Sequence, residues 1–172
     1  EGKSTCAKDL SIYFNGGYCP EFSRCYAEHN KIKLESCGIS EIEMFIHNQL
    51  RATLSSTMNN ILTFVDGDTV TNLAYARLLL TNEKYEKLVE RTKDFYFSGF
   101  HQAFLFAPHE KFISDGIRNM AAPYEIRMAT FQTMLELYEE HNVPYTILNG
   151  SYKENFEAIK EYVERHSWSK IL

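Results

Sequence analysis

The sequence predicts an α/β fold in which a parallel β-sheet is covered by helices on both faces, as a three-layer sandwich. Short apolar runs alternate along the chain with segments whose apolar residues recur at helical spacing, which is typical of doubly wound sheets. Polar residues follow directly after several of the apolar runs. Because ligands bind such sheets at the carboxyl ends of the strands, we expect the functional site there.

The totals of the sequence describe a single domain that needs no disulfides. The chain has 172 residues, a length at which roughly 70% of the unfolded surface becomes buried. A net charge of −5 and a pI near 5.7 argue against binding of bulk nucleic acid. The apolar runs are far too short to span a membrane. The four cysteines form no C-x-x-C pair and the six histidines have no metal-ligand spacing, so we expect reduced thiols in a cytoplasmic protein.

The first helical segment opens with Gly2-Lys3-Ser4-Thr5, the second half of a phosphate-binding loop of the form G-x-x-x-x-G-K-[ST]. In that loop backbone N–H groups surround the phosphates, Lys3 reaches the outer ones and the hydroxyl of Ser4 holds Mg²⁺. Residues 4–14 keep helical spacing, so a helix N-terminus would face the anion. We expect the first half of the loop, and the strand that feeds it, upstream of Glu1. The pattern predicts a P-loop NTPase-type fold.

The other elements are predicted from the same two spacings and from helix-capping residues. Strands are expected within 18–22, 61–68, 100–106 and 145–148, and helices within 23–30, 69–80, 82–94 and 124–138. Capping boxes at Ser40-Glu41-Ile42-Glu43 and at Ser151-x-x-Glu154 open a long central helix and the last helix. The core-facing stripe of the long helix is predicted to be Ile42, Phe45, Ile46, Leu50, Leu54 and Met58.

Two carboxylates follow the second predicted strand. Asp66 occupies the position from which phosphate-loop enzymes orient Mg²⁺, and a carboxylate at a buried strand end needs a cationic partner. Asp68 has two interpretations, because it either belongs to the site or caps the helix that starts near Thr69. Both interpretations of Asp68 stay open at this point.

Glu21 and Arg24 lie three residues apart, just past the first predicted strand. Glu21 could accept the proton of an attacking hydroxyl while Arg24 steadies phosphate or substrate. The alternative is a local ion pair on a turn, which contributes little to stability at a surface. Since a hydroxyl is a poor nucleophile, one of Asp66, Glu21 and Asp68 is expected to act as the base.

A polar loop over residues 108–122 is longer than usual connections and is predicted to form a lid. Lys111 and Arg118 could stabilise transferring phosphate from this loop, although solvated loop charges are common. His101 and His109 flank the strand that precedes the loop and are weaker candidates for contact with substrate.

Four segments of the chain fall together in the order and spacing of one family. The sequence resembles the ribosylnicotinamide kinase domain of bacterial bifunctional NAD-salvage proteins, in which that domain follows a nicotinamide mononucleotide adenylyltransferase domain. The resemblance spans nearly the whole chain. The four segments are Gly2-Lys3-Ser4-Thr5, Pro20-Glu21-Phe22-Ser23-Arg24, Phe64-Val65-Asp66-Gly67-Asp68-Thr69-Val70-Thr71 and Asp115-Gly116-Ile117-Arg118.

The resemblance implies transfer of the γ-phosphoryl group of ATP, with Mg²⁺, to the ribose 5′-hydroxyl of nicotinamide riboside. It implies that Lys3 and Ser4 serve the phosphates and Mg²⁺, and that Asp66 and Asp68 serve the metal and the ribose hydroxyls. It also implies that the segment 20–24 lines the acceptor pocket, and that a partner domain can precede residue 1. The small-molecule partners are then a nucleoside and ATP, in NAD biosynthesis.

One departure from the family and two other functions bear on this prediction. The family's usual residue between the two aspartates is Thr, whereas Gly67 is expected to loosen the turn and to shift Asp68. A kinase for another nucleoside or nucleoside monophosphate shares the same signals. So does a regulatory domain that binds a nucleotide without turnover.

Overall fold

The computed structural model describes residues 2–92, 102–109 and 123–167. Within these ranges helices and strands alternate as the sequence predicts. In chain order the elements are α1 (Lys3–Tyr13), β1 (Gly17–Cys19), α2 (Phe22–Asn30), α3 (Ile39–Asn59), β2 (Thr63–Val65), α4 (Thr69–Leu79), α5 (Asn82–Thr92), β3 (Ala103–Phe106), α6 (Tyr124–Glu140), β4 (Tyr145–Leu148) and α7 (Tyr152–Ser167). A short 3-10 helix at Leu34–Ser36 lies in the predicted polar connection before α3.

The strands form two parallel pairs, β1 with β2 and β3 with β4. In the first pair Gly17 lies opposite Thr63 and Cys19 opposite Val65. The Asp66 N–H then donates to the Cys19 carbonyl at 2.8 Å, which extends the pairing by one residue. Because parallel strands end at the same edge, the chain that leaves β1 and the chain that leaves β2 emerge side by side. The second pair has Ala103 opposite Tyr145 and Phe106 opposite Leu148.

Two buried apolar clusters account for the layers of the fold. The larger cluster joins α3, α4, α5 and α6 to β3, and the smaller one joins α1 and α7 to β4. This arrangement confirms the predicted α/β class with helices in separate layers. The buried members of the smaller cluster are Cys6, Leu10, Leu148, Ile159 and Val163.

The N-terminus of α3 differs from the prediction. The helix begins at Ile39 with Gly38 as N-cap residue, and the Gly38 N–H donates to Glu41 Oε2 at 3.0 Å. The predicted cap at Ser40 is therefore wrong by two residues, because Glu41 rather than Glu43 reaches back to the chain. The predicted box at the start of α7 is confirmed, since the Ser151 N–H donates to Glu154 Oε2 at 2.7 Å.

The buried face of α3 also departs from the predicted stripe toward its C-terminus. Leu54 and Met58 are 42% and 85% exposed, whereas Gln49 and Thr53 are 1% and 4% exposed. A helix turns 100° per residue, so each step of four residues drifts about 40° from a fixed face. Repeated steps of four from Ile46 therefore lead to solvent. Two polar residues occupy the buried face instead.

No helix within the described ranges combines the length and apolar character needed to cross a membrane. All four cysteines lie in described ranges and are free thiols, with Cys6 and Cys19 buried. Burial and the nearby charge of Asp9 raise the pKa of Cys6 to about 11. A thiol with such a pKa stays protonated at neutral pH.

Candidate functional site

Three charged side chains meet where β1 and β2 end. Lys3 Nζ lies 3.4 Å from Asp66 Oδ1 and 3.7 Å from Glu21 Oε2. The two carboxylates are 2% and 4% exposed, while Lys3 is 34% exposed. The Lys3 ammonium thus faces two buried carboxylates from the rim of the site, and charges buried in this way require such a partner. The sequence predicted each of these residues for the site, and the fold brings them together.

The start of α1 supplies the backbone of the site. Gly2 is the N-cap residue and has a left-handed backbone with φ of 80°, a conformation that glycine adopts without steric cost. The first intrahelical bond runs from the Cys6 N–H to the Gly2 carbonyl at 2.8 Å. The N–H groups of Lys3, Ser4 and Thr5 therefore precede the regular bonding of the helix and have no acceptor within it. A helix end of this kind attracts anions through its N–H groups and its dipole.

Ser4 contacts a basic side chain of α2. Arg24 Nη1 donates to Ser4 Oγ at 3.4 Å. The guanidinium of Arg24 therefore lies beside the beginning of α1, next to the Lys3 cluster. Two positive charges at this edge, together with the helix N-terminus, suit a polyanionic ligand.

Glu21 is the N-cap residue of α2 and is fixed on several sides. Ser23 Oγ donates to Glu21 Oε1 at 3.0 Å. Gly67 has φ of 82°, and a β-carbon placed there would lie 3.1 Å from Glu21 Cγ. Glu21 therefore packs against a backbone that only glycine provides without strain. Gly67 was expected to loosen this turn, but in the structure it makes room for the Glu21 side chain.

Asp66 follows β2 directly, and its two oxygens have different surroundings. Tyr18, which is paired with Phe64 across the two strands, donates its hydroxyl to Asp66 Oδ2 at 3.4 Å. Burial and the charge of Asp66 raise the pKa of Tyr18 to about 12, so the phenol remains a donor at neutral pH. Asp66 Oδ1 is fully buried and accepts no hydrogen bond from the described residues. Lys3 Nζ lies 3.4 Å from this oxygen.

Asp68 caps α4, as one of the two interpretations of the sequence predicts, and its role toward a ligand stays a prediction. Its Oδ1 accepts from the Thr71 N–H at 2.9 Å and from Thr71 Oγ1 at 3.0 Å. Its Oδ2 accepts a hydrogen bond from the hydroxyl of Tyr138 on α6. Burial, with the charge of Asp68 and this hydrogen bond as lesser causes, raises the pKa of Tyr138 well above its usual value.

Residues 110–122 of the predicted lid, with Lys111, Arg118 and the motif 115–118, lie outside the described residues. His101 also lies outside them, and His109, three residues after the end of β3, is exposed. Their candidate roles therefore remain predictions.

Sequence reasoning missed several polar residues that shape the site: Tyr18, Gln49 and Tyr138. Gln49 and Tyr138 are buried on helices, and their positions in sequence lie far from the charged residues that they serve. A polar residue on the apolar face of α3 was the available signal for Gln49, because a buried amide must find hydrogen-bond partners. For Tyr138 the sequence carried no such signal, because a tyrosine in a core stripe is ordinary.

Comparison with known families and structures places the chain in a recognisable group. A family model described as an AAA domain matches residues 1–155. No curated protein matches the sequence.

Solved structures of other proteins share the fold. The chain superposes on a NadR protein in complex with NR with a TM-score of 0.83 and 22% identity, covering 95% of this chain and 48% of that one. A NadR protein in complex with NAD and AMP-PNP gives a TM-score of 0.78, 20% identity and coverages of 95% and 46%. A deoxyadenosine kinase from M. mycoides with products dCMP and dCDP bound gives a TM-score of 0.74, 13% identity and coverages of 95% of this chain and 94% of that one.

The chain thus spans about half the length of the NadR proteins. The predicted resemblance and the predicted P-loop fold are confirmed at the level of structure.

Proposed function

The chain belongs to the AAA domain family, and from this membership and the geometry of the site we propose that it transfers a phosphoryl group from ATP to a nucleoside. The observation that carries the proposal is the meeting of Lys3 with the buried carboxylates of Glu21 and Asp66 at the N-terminus of α1. Phosphoryl transfer needs cations and N–H groups for the phosphates, and a carboxylate to take the proton of the attacking hydroxyl. The groups suited to the phosphates, Lys3 and the N-terminus of α1, lie beside the carboxylates suited to the hydroxyl.

On the phosphate side, we assign Gly2, Lys3, Ser4 and Thr5 to ATP. The helix N-terminus and the Lys3 ammonium are held at one edge, and this supports binding of a triphosphate. Incoming phosphate oxygens would draw Lys3 from the two carboxylates. Lys111 and Arg118 are proposed to close over the phosphates, on the strength of the sequence.

A Mg²⁺ ion fits the residues at the end of β2. Asp66 Oδ1 is buried without a hydrogen bond among the described residues, and hard cations prefer carboxylate, hydroxyl and water oxygens. Asp66 and Ser4 would hold the ion. When bound, it would neutralise charge on the phosphates.

On the acceptor side, Glu21 is the proposed base. As the nucleoside hydroxyl attacks the γ-phosphorus, a P–O bond forms and the bond to the β-phosphate oxygen breaks, leaving ADP. Glu21 takes the hydroxyl proton, and Arg24 steadies the phosphate or the nucleoside. Asp68 is a weaker candidate for base, because both its oxygens accept hydrogen bonds from protein groups. On the strength of the sequence resemblance, Asp68 is proposed to serve the ribose hydroxyls.

The proposed acceptor is nicotinamide riboside, which would give nicotinamide mononucleotide in NAD salvage. Two observations support it: the four matching sequence segments and the structural likeness to a NadR protein in complex with NR. The likeness to a deoxyadenosine kinase, which the chain matches over 94% of that protein's length, favours a deoxynucleoside as second candidate.

A panel of acceptors tests the proposal. Purified protein with ATP and Mg²⁺ is given nicotinamide riboside, cytidine, deoxyadenosine, deoxycytidine and cytidine monophosphate, and ADP release is measured. We expect the highest kcat/KM with nicotinamide riboside. Equal or faster turnover of deoxyadenosine would shift the assignment to the second candidate. Calorimetric binding of AMP-PNP without turnover of any acceptor would instead identify a nucleotide-sensing domain.

A further inference from the structure

The backbone on both sides of Glu21 is hydrogen-bonded by the side chain of Gln49 on α3. Gln49 is 1% exposed, and its Oε1 accepts from the Phe22 N–H at 2.7 Å. Its Nε2 lies 3.4 Å from the Pro20 carbonyl oxygen, to which it donates. One amide thus bonds the residue before Glu21 and the residue after it. The orientation of the amide is fixed by its partners, since only the oxygen can accept from an N–H and only the nitrogen can donate to a carbonyl.

Both backbone groups lie where regular structure ends. Phe22 is the first residue of α2, so its N–H has no acceptor within that helix. Pro20 follows the last residue of β1. The Cys19 thiol, a weak donor, also lies 3.8 Å from the Pro20 oxygen. The Gln49 amide therefore supplies hydrogen bonds to backbone groups just past the end of β1, where strand pairing no longer supplies them.

From this geometry we infer that Gln49 is a positioning residue for phosphoryl transfer, which sets the Glu21 carboxylate by bonding the backbone on both sides of it. The inference rests on the proposed function, in which Glu21 is the base. Gln49 has no contact with Lys3, Asp66 or the start of α1 among the hydrogen bonds of the described residues. Its influence is therefore expected on the acceptor side of the reaction and not on ATP binding.

The test substitutes Gln49→Met, which keeps the length of the side chain and removes the hydrogen bonds to Phe22 and Pro20, together with the weak one from Nε2 to Cys19 Sγ at 3.6 Å. A displacement of about 1 Å in a reacting group can lower a rate about 100-fold. We expect kcat to fall between about 10- and 100-fold, with the KM for ATP unchanged. Thr53→Val is the matched control. Thr53 lies one turn further along the same buried face and contacts Cys19 Sγ at 3.8 Å, and its substitution should leave kcat within about twofold of the wild type.

A double-variant cycle separates positioning from general damage to the fold. If Gln49 acts through Glu21, then Gln49→Met adds nothing once Glu21→Gln has removed the base, because groups that act as a unit are non-additive. We expect the double variant to match Glu21→Gln alone within about twofold. Gln49→Glu, which keeps the acceptor for the Phe22 N–H, replaces Gln49→Met in the cycle should the latter fail to fold by circular dichroism.

The outcomes distinguish this inference from the function on which it rests. Multiplied losses in the double variant, wild-type kcat in Gln49→Met, or an equal loss in Thr53→Val would overturn the role of Gln49 while the kinase activity stands. Absence of transfer to every acceptor by the wild type would overturn the proposed function and the role of Gln49 together.

Discussion

Lys3 and Asp66 form an ion pair at the end of β2, with Lys3 Nζ 3.4 Å from Asp66 Oδ1. The pair joins the first turn of α1 to the carboxyl edge of the β1–β2 sheet. The two residues lie more than sixty positions apart in the sequence. Lys3 is the more exposed partner, so a ligand that approaches from solvent meets the ammonium first. The same ammonium also lies 3.7 Å from Glu21 Oε2. Lys3 thus connects the groups assigned to the phosphates with those assigned to the acceptor.

Removal of the Lys3 ammonium tests this central position. Lys3→Ala should lower kcat/KM for ATP-dependent transfer by at least about 100-fold, because it removes a cation preorganised for the transferring phosphate. ADP release gives the rate, and circular dichroism checks that the fold is kept. Lys8→Ala is the control, since Lys8 is an exposed lysine on the same helix. A Lys3→Ala variant as active as Lys8→Ala would contradict the assignment of the phosphate site.

Substitution of Gly67 by threonine, the residue that the sequence resemblance leads us to expect there, tests the turn between the two aspartates. Gly67→Thr places a β-branched residue at φ of 82°, with its β-carbon 3.1 Å from Glu21 Cγ. We expect the free energy of unfolding to fall by about 1–3 kcal/mol, the usual cost of such backbone strain. We also expect kcat to fall, because Glu21 must move. Urea denaturation and the kinase assay measure the two effects.

Gly38→Ser serves as control for Gly67→Thr, because Gly38 has an ordinary φ of −93°. Serine suits the N-cap position that Gly38 occupies at the start of α3. Stability of Gly38→Ser within about 0.5 kcal/mol of the wild type is expected. Were Gly67→Thr to be equally harmless, the left-handed turn would have no part in holding Glu21.

The burial of Tyr138 beside Asp68 predicts a specific loss of stability at alkaline pH. Burial raises the pKa of Tyr138 in the folded state well above its usual value, whereas the unfolded chain ionises its tyrosines near pH 10. The folded state therefore binds more protons above about pH 10, and stability falls as the pH rises beyond that value. Below about pH 10 this contribution is fully present.

Tyr138→Phe should therefore lose about 1 kcal/mol at pH 7, from the missing hydrogen bond, and decline less steeply than the wild type between pH 9 and 11. Urea unfolding at each pH measures both terms. Asp68→Asn, which removes the charge beside the phenol, should also flatten the decline. Identical slopes for the wild type and Tyr138→Phe would show that Tyr138 ionises alike in the folded and unfolded chains.

Local patterns predicted most of the elements and several members of the site. The helical spacing after Gly2, the apolar run before Asp66 and the capping box at Ser151 all concern neighbours in sequence, and the structure confirms them. The errors arose where the pattern was extended too far. The predicted core-facing stripe of α3 wrongly included Met58, which is exposed, because repeated steps of four residues do not follow one face of a helix.

The sequence by itself determined the alternation of helices and strands, the helix that follows Gly2-Lys3-Ser4, and the carboxylates at the ends of β1 and β2. These features depend on backbone periodicity and on residues close in the chain. Only the tertiary structure decided that Lys3 contacts both Glu21 and Asp66, that Tyr138 bonds Asp68, and that Gln49 holds the backbone around Glu21. Each of these contacts joins separate elements, and so it exists only after parallel pairing and helix packing have brought those elements together.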